Sequence, residues 1–142
     1  MTYDYREKKI VAVLNSQLEP GIALNVLGHL AISLGANAQN IMGRQYLLDA
    51  SEVKHLGIAK YPLIITRVKE STLNKAITLA RQNLDILVAD YPQQMLDTGH
   101  DDELAQSLLL VPESEIRYLG ALFFGPTEVV NTITGKFSLW KP

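Results

Sequence analysis

Residues 8–35, "KKIVAVLNSQLEPGIALNVLGHLAISLG", set a strand directly before a helix. From Lys8 the chain runs into continuous, partly β-branched apolar residues that end at Asn15, the pattern of a strand covered on both faces. Pro20-Gly21 then opens a helix, and Gly35 closes it, glycine being a usual helix stop. A buried strand feeding a helix is the first half of a crossover unit.

The rest of the chain repeats that pattern. "YPLIITRV" (61–68) is a second buried strand, followed by the clearest helix, "STLNKAITLARQNL" (71–84). Ser71 is suited to cap it, and Leu73, Ile77, Ala80 and Leu84 recur at helical spacing. "DILVADYP" (85–92) is the next strand, expected to end near Asp90 because Tyr91 precedes Pro92. "QYLLDA" (45–50) suggests a short strand and "SEVKHLGIAK" (51–60) a turn region. Residues 93–117 are expected to be partly helical, with one helix in "DDELAQSLLLV". "YLGALFFG" (118–125) reads as a strand and "PTEVVNTITG" (126–135) as a helix, and "KFSLW" closes the chain through Phe137, Leu139 and Trp140.

Alternating strands and helices predict a three-layer α/β/α sandwich with a mixed, mostly parallel sheet of four to five strands. No long crossover helix precedes the 118–125 strand, so that strand is expected to run antiparallel. Neither a linker nor a repeat interrupts the pattern, and one domain is expected over residues 1–142.

The chain is 47% hydrophobic and 20% charged, ordinary proportions for a soluble globular protein. It has no cysteine, which excludes disulfides, thiolate nucleophiles and Cys-type zinc sites. The N-terminal apolar run "IVAVL" is too short for a signal-peptide core, and nothing approaches the ~18 apolar residues of a membrane span. The expectation is a cytoplasmic protein without membrane contact. Net charge is -2, and the thirteen basic residues are scattered, with Lys8-Lys9 the one adjacent pair. That distribution disfavours a nucleic-acid partner, whose affinity rests on phosphate neutralisation. The phosphate-cradling patterns G-x-G-x-x-G and G-x-x-x-x-G-K-[ST] and the nucleophile elbow G-x-S-x-G are absent.

His29 stands in the middle of the first helix. Residues four apart share a helical face, so Asn25, His29 and Ser33 form a polar stripe beside an apolar one of Leu24, Leu27, Ala31 and Leu34. Asp90 sits where a strand should end, on the side of an open α/β sheet where ligands collect, and Asn15 ends the first strand. A carboxylate there is able to orient a histidine or accept a proton. "DTGHDDE" (97–103) concentrates acidic residues, read as favouring the first turn of the following helix through its dipole rather than as a metal site. Thr98 and Met95 nearby are candidates for a pocket wall.

The strand "KIVAVLN", the segment "PGIALNVLGHLAISLGA", the strand ending "VADYP" and "YLGALFFGPTEVVNTITGKFSLW" together resemble a family of short proteins of unknown function related to the type 2 peptidyl-tRNA hydrolases. The resemblance runs from about Lys8 to Trp140. It implies an α/β/α fold and a homodimer. In the hydrolases a helix that starts with Gly-Lys carries a histidine, and an aspartate after the third strand is soon followed by a threonine. Here Gly21, His29 and Asp90 match, whereas Ile22 stands in the lysine's place and Gln94 in the threonine's. The resemblance therefore implies two readings. In one, His29, oriented by Asp90, acts as general base toward a small acyl ester or amide, with Asn25, Gln94, Thr98 and Asn15 holding the substrate. In the other, a non-catalytic homodimer keeps the fold and binds a small ligand. Neither reading calls for a metal or a cofactor.

Overall fold

The computed structural model describes residues 3–141. Its five-stranded sheet has the order β5-β6-β1-β4-β7, formed by β1 (Lys8–Asn15), β4 (Leu63–Val68), β5 (Leu87–Pro92), β6 (Tyr118–Pro126) and β7 (Ser138–Leu139). β1 and β4 pair in parallel, Ile10 opposite Leu63 through Asn15 opposite Val68. The other neighbours pair antiparallel: β6 with β1, β5 with β6, and β7 with β4. The sheet is thus mixed but mostly antiparallel, where a mostly parallel one was expected. The cause is the position of β6. β1, β4 and β5 all run the same way, but β6 is inserted between β5 and β1 and turns what would be a parallel contact into two antiparallel ones.

Side chains alternate across the sheet and build two apolar layers. Ala12, Leu14, Leu122, Phe124 and Tyr91 face α1 (Pro20–Asn37), which buries Ala23, Val26, Leu30 and Leu34 against them. Val11, Val13, Ala121 and Phe123 face the opposite way, under Leu73, Ala76, Ile77 and Ala80 of α2 (Glu70–Arg81) and Val130 of α5 (Thr127–Thr134). Each fully buried Val or Leu contributes about 1.5–3 kcal/mol by removal from water. α1 rides close on the sheet because β6 has Gly120 beneath it. A Cβ there would lie 2.8 Å from Leu14 Cδ2 and 2.9 Å from Val26 Cγ1.

Several local expectations change. α2 begins at Glu70 after an uncapped Lys69, so Ser71 lies inside the helix; it ends at Arg81, and Leu84 is fully exposed rather than part of the apolar stripe. β5 continues past Asp90 to Pro92, with a register shift between Tyr91 and Pro92 that absorbs the missing donor. The 51–60 segment contains β3 (Lys54–Leu56), which pairs antiparallel with β2 (Tyr46–Leu48). Between β5 and β6 lie α3 (Gln94–Asp97), α4 (Asp101–Leu109) and a 3-10 turn at Glu113–Glu115. The acidic run does open α4, with Asp101, Asp102 and Glu103 in its first turn. Leu139 falls in the edge strand β7 and is half exposed, while Phe137 and Trp140 pack on opposite faces of the sheet. No helix among the described residues is long and apolar enough to cross a membrane.

Candidate functional site

β5 decides where the candidate residues point. Ala89 and Tyr91 turn toward α1, and Tyr91 is buried there. Asp90 between them must turn to the other face. It does so opposite Ala121, and its carboxylate accepts a hydrogen bond from Arg81 of α2 at 2.5 Å. His29 projects from the outer side of α1, with its ring 5.9 Å from the Tyr91 ring at a tilt of 59°. The sheet therefore separates His29 from Asp90, and the expected contact between them is not made. One residue of strand alternation is the whole reason.

Asp90 belongs instead to a network on the α2 side. The Arg81 guanidinium that holds it also lies 3.4 Å from the Tyr118 hydroxyl, and that hydroxyl donates to the Glu113 carboxylate. Burial pushes the Asp90 carboxyl above the usual carboxylate range, with Arg81 pulling it down and Glu113 adding to the rise. Burial, reinforced by the bond to Glu113, likewise raises the Tyr118 phenol. Close by in the chain, Arg117 pairs with Glu70 at 2.9 Å. Together these contacts tie the 3-10 turn and the start of β6 to α2. Sequence reasoning did not find this network, although the alternation in "LVADYP" already sets Asp90 and Tyr91 on opposite faces.

The remaining candidates divide as follows. Asn15 is buried, and its side-chain oxygen accepts the Gln17 N–H at 2.9 Å, so it shapes the turn between β1 and α1. Asn25 and Ser33 lie exposed on the outer side of α1 with His29. The Thr98 hydroxyl donates to the Gln94 carbonyl at 2.8 Å and closes α3. The Gln94 side-chain oxygen is shielded from solvent and has no hydrogen-bond partner among the described residues. Met95 of α3 packs into the α1-side layer, so α3 approaches the same face as His29. His29, Asn25 and Tyr91 are thus brought to one side of the sheet, and Asp90 is not. Among the described residues, no three His, Asp or Glu side chains converge in a way that could hold a metal ion.

The buried stripe of α1 is Ala23, Val26, Leu30 and Leu34, so Leu24 and Ala31 face outward where an inward position was expected. Its outer side carries Ile22, Leu24 and Ile32 at 36%, 68% and 73% exposure, and none of its residues is charged. A surface helix ordinarily presents a polar outer face.

A family model described as "Protein of unknown function (DUF2000)" matches residues 8–141. Among solved structures, the chain is similar to a protein of unknown function, Atu0240, from Agrobacterium tumefaciens strain C58. The two are 21% identical with a TM-score of 0.85, over 95% of this chain and 98% of that one. At that identity the likeness shows the fold alone. No curated protein matches the chain.

Proposed function

Because the chain belongs to the DUF2000 family of proteins of unknown function, its role has to be argued from its own residues, and we propose that it is a non-catalytic homodimeric binding module on a fold like that of the type 2 peptidyl-tRNA hydrolases. The observation that supports this reading is the commitment of Asp90 to Arg81 on the side of the sheet away from His29. A general base gains from a carboxylate that orients its ring and stabilises the imidazolium. His29 has the Tyr91 ring beside it, and none of the ion pairs among the described residues includes it. Ile22, in the place of the hydrolase lysine, offers no charge to an oxyanion or a phosphate. The outer side of α1 is the binding face in this reading, apolar along its length with His29 and Asn25 at its centre.

One observation favours the competing hydrolase reading: His29 is open to solvent beside Tyr91, so a substrate would reach it. There, His29 would take a proton from water without help from Asp90. Hydrolysis of peptidyl-tRNA and of small acyl esters and amides, followed with wild type and His29→Ala in parallel, separates the two. Binding without catalysis gives wild-type rates no higher than those of the variant. Turnover that His29→Ala removes while the fold is retained would overturn it.

A further inference from the structure

Residues 41–60 form an arm that leaves the sheet. Its root is held by the Lys60 N–H on the Ile41 carbonyl and the Gly43 N–H on the Ile58 carbonyl, both at 2.9 Å, and by the Gly57 N–H on the Gln45 carbonyl at 3.0 Å. Ile41 and Tyr61 anchor that root in the α1-side layer, so arm and α1 stand on the same face of the sheet. The tip is closed by Asp49, whose carboxylate accepts the Ser51 and Val53 N–H groups at 2.8 and 3.1 Å and pairs with His55 at 2.9 Å. Gly57 lets the two strands approach, since a Cβ there would lie 1.6 Å from the Arg44 carbonyl oxygen. The arm is therefore built in detail, yet it covers little of its own chain. Tyr46, Leu47, Leu48, Val53, Leu56 and Ile58 are exposed by 41% to 88%. A lone two-stranded ribbon is marginal in water, and its edges invite pairing.

The register sorts its side chains. Tyr46 is opposite Leu56 and Leu48 opposite Lys54, which places Tyr46, Leu48 and Leu56 on one side of the ribbon together with Lys54, whose ammonium lies 4.7 Å over the Tyr46 ring. Leu47 is on the other side, where with Tyr3, Arg44 and Ile58 it lines a cleft of about 390 Å³ against the arm's own root. The Tyr46–Leu48–Leu56 side thus turns away from its own chain. Resting on the homodimer reading above, we infer that this side of the arm seats on the uncharged outer face of α1 of a second copy, whose arm returns the contact.

The area supports that choice of occupant. Tyr46, Leu48 and Leu56 leave roughly two large side chains' worth of surface exposed, and Ile22, Leu24 and Ile32 of α1 roughly two more. At about 60–120 Å² per side chain, the area implied by about 1.5–3 kcal/mol at about 25 cal/mol/Å², that is about 200–450 Å² of apolar surface per copy. With an apolar share near 65% in homodimer interfaces, the matching interface is about 300–700 Å² per copy, whose upper end approaches the ~800 Å² of a stable complex. Neither patch reaches that alone. A two-fold axis along the seam between arm and α1 brings each arm onto the other copy's helix, a closed and self-complementary contact. α1 brings no charge to be stranded in it.

The chain has no cysteine, so single-cysteine variants report this contact cleanly. Leu56→Cys and Ile32→Cys, mixed and oxidised, are expected to form a mixed disulfide dimer in preference to self-linked ones. Leu56→Asp is expected to weaken self-association about tenfold or more. Leu56 is 88% exposed, so the near-ultraviolet dichroism of the folded monomer should be retained. Self-linking of Leu56→Cys without mixed linking would mean that arms meet arms, and would overturn the inference. So would a wild-type dimer that Leu56→Asp leaves at full strength, with the homodimer itself still standing. A monomeric wild type would sink both.

Discussion

Asp90 shows how far a single residue can redirect a reading. Its place in an apolar strand with Pro92 two residues on was legible in the sequence, although that strand continues past it, and so was His29 on the first helix. The face was legible as well, because an alternating strand cannot send Asp90 and Tyr91 the same way. The Arg81 partner was not legible, since it depends on how α2 lies across β5. The carboxyl's pKa has a consequence for stability. Burial raises it in the folded state above its ordinary value of 3.8. A carboxyl that holds its proton more tightly when folded favours the folded state fully below the unfolded pKa. That contribution is lost as pH rises through the folded value. In urea melts from pH 3.8 upward, wild type should therefore lose stability relative to Asp90→Asn. The cost of leaving Arg81 unpaired in the variant is an offset that does not vary with pH over that range. A difference that stays flat with pH, or moves in favour of wild type, would remove the raised carboxyl from the description.

α1 and the β2–β3 arm are the elements that sequence periodicity served least. β1, α2, β5 and β6 each carry a clear apolar run or a one-sided helical stripe, and their existence was legible to within a few residues. α1 has no acidic or basic residue and carries large apolar residues on its exposed side beside Asn25, His29 and Ser33, so its spacing offers little contrast between inner and outer faces. The choice of Leu24 and Ala31 as inward residues failed for that reason. Ala23, Val26, Leu30 and Leu34 take that side because they meet Leu14, Leu122 and Phe124 of the sheet. Two substitutions test this orientation by thermal or denaturant unfolding. Leu30→Ala empties a buried site and should cost about 2–5 kcal/mol, whereas Leu24→Ala should stay within about 0.5 kcal/mol in the monomer. Equal costs at the two positions would mean that the helix is rotated. β2 falls within the short strand expected at 45–50, but its partner β3 was read as a turn region, because three residues that all face solvent carry no buried pattern.

On the scale of the whole molecule, the expected α/β fold with five strands is present, and the direction of its strands is the main correction. β6 was rightly expected to run antiparallel, but its place between β5 and β1 was not legible, because strand order is set by packing between distant segments. That placement separates an α1 side from an α2 side. The α2 side is closed by Arg81, Asp90, Tyr118 and Glu113 and by the Arg117–Glu70 pair. The α1 side leaves large apolar residues exposed both on the helix and on the arm. Binding by a homodimer joins these facts, and its most direct test is the mass of the wild-type protein by sedimentation equilibrium across the micromolar range. A mass of about twice 15.8 kDa is the expected result. A mass of about 15.8 kDa at every concentration would contradict it.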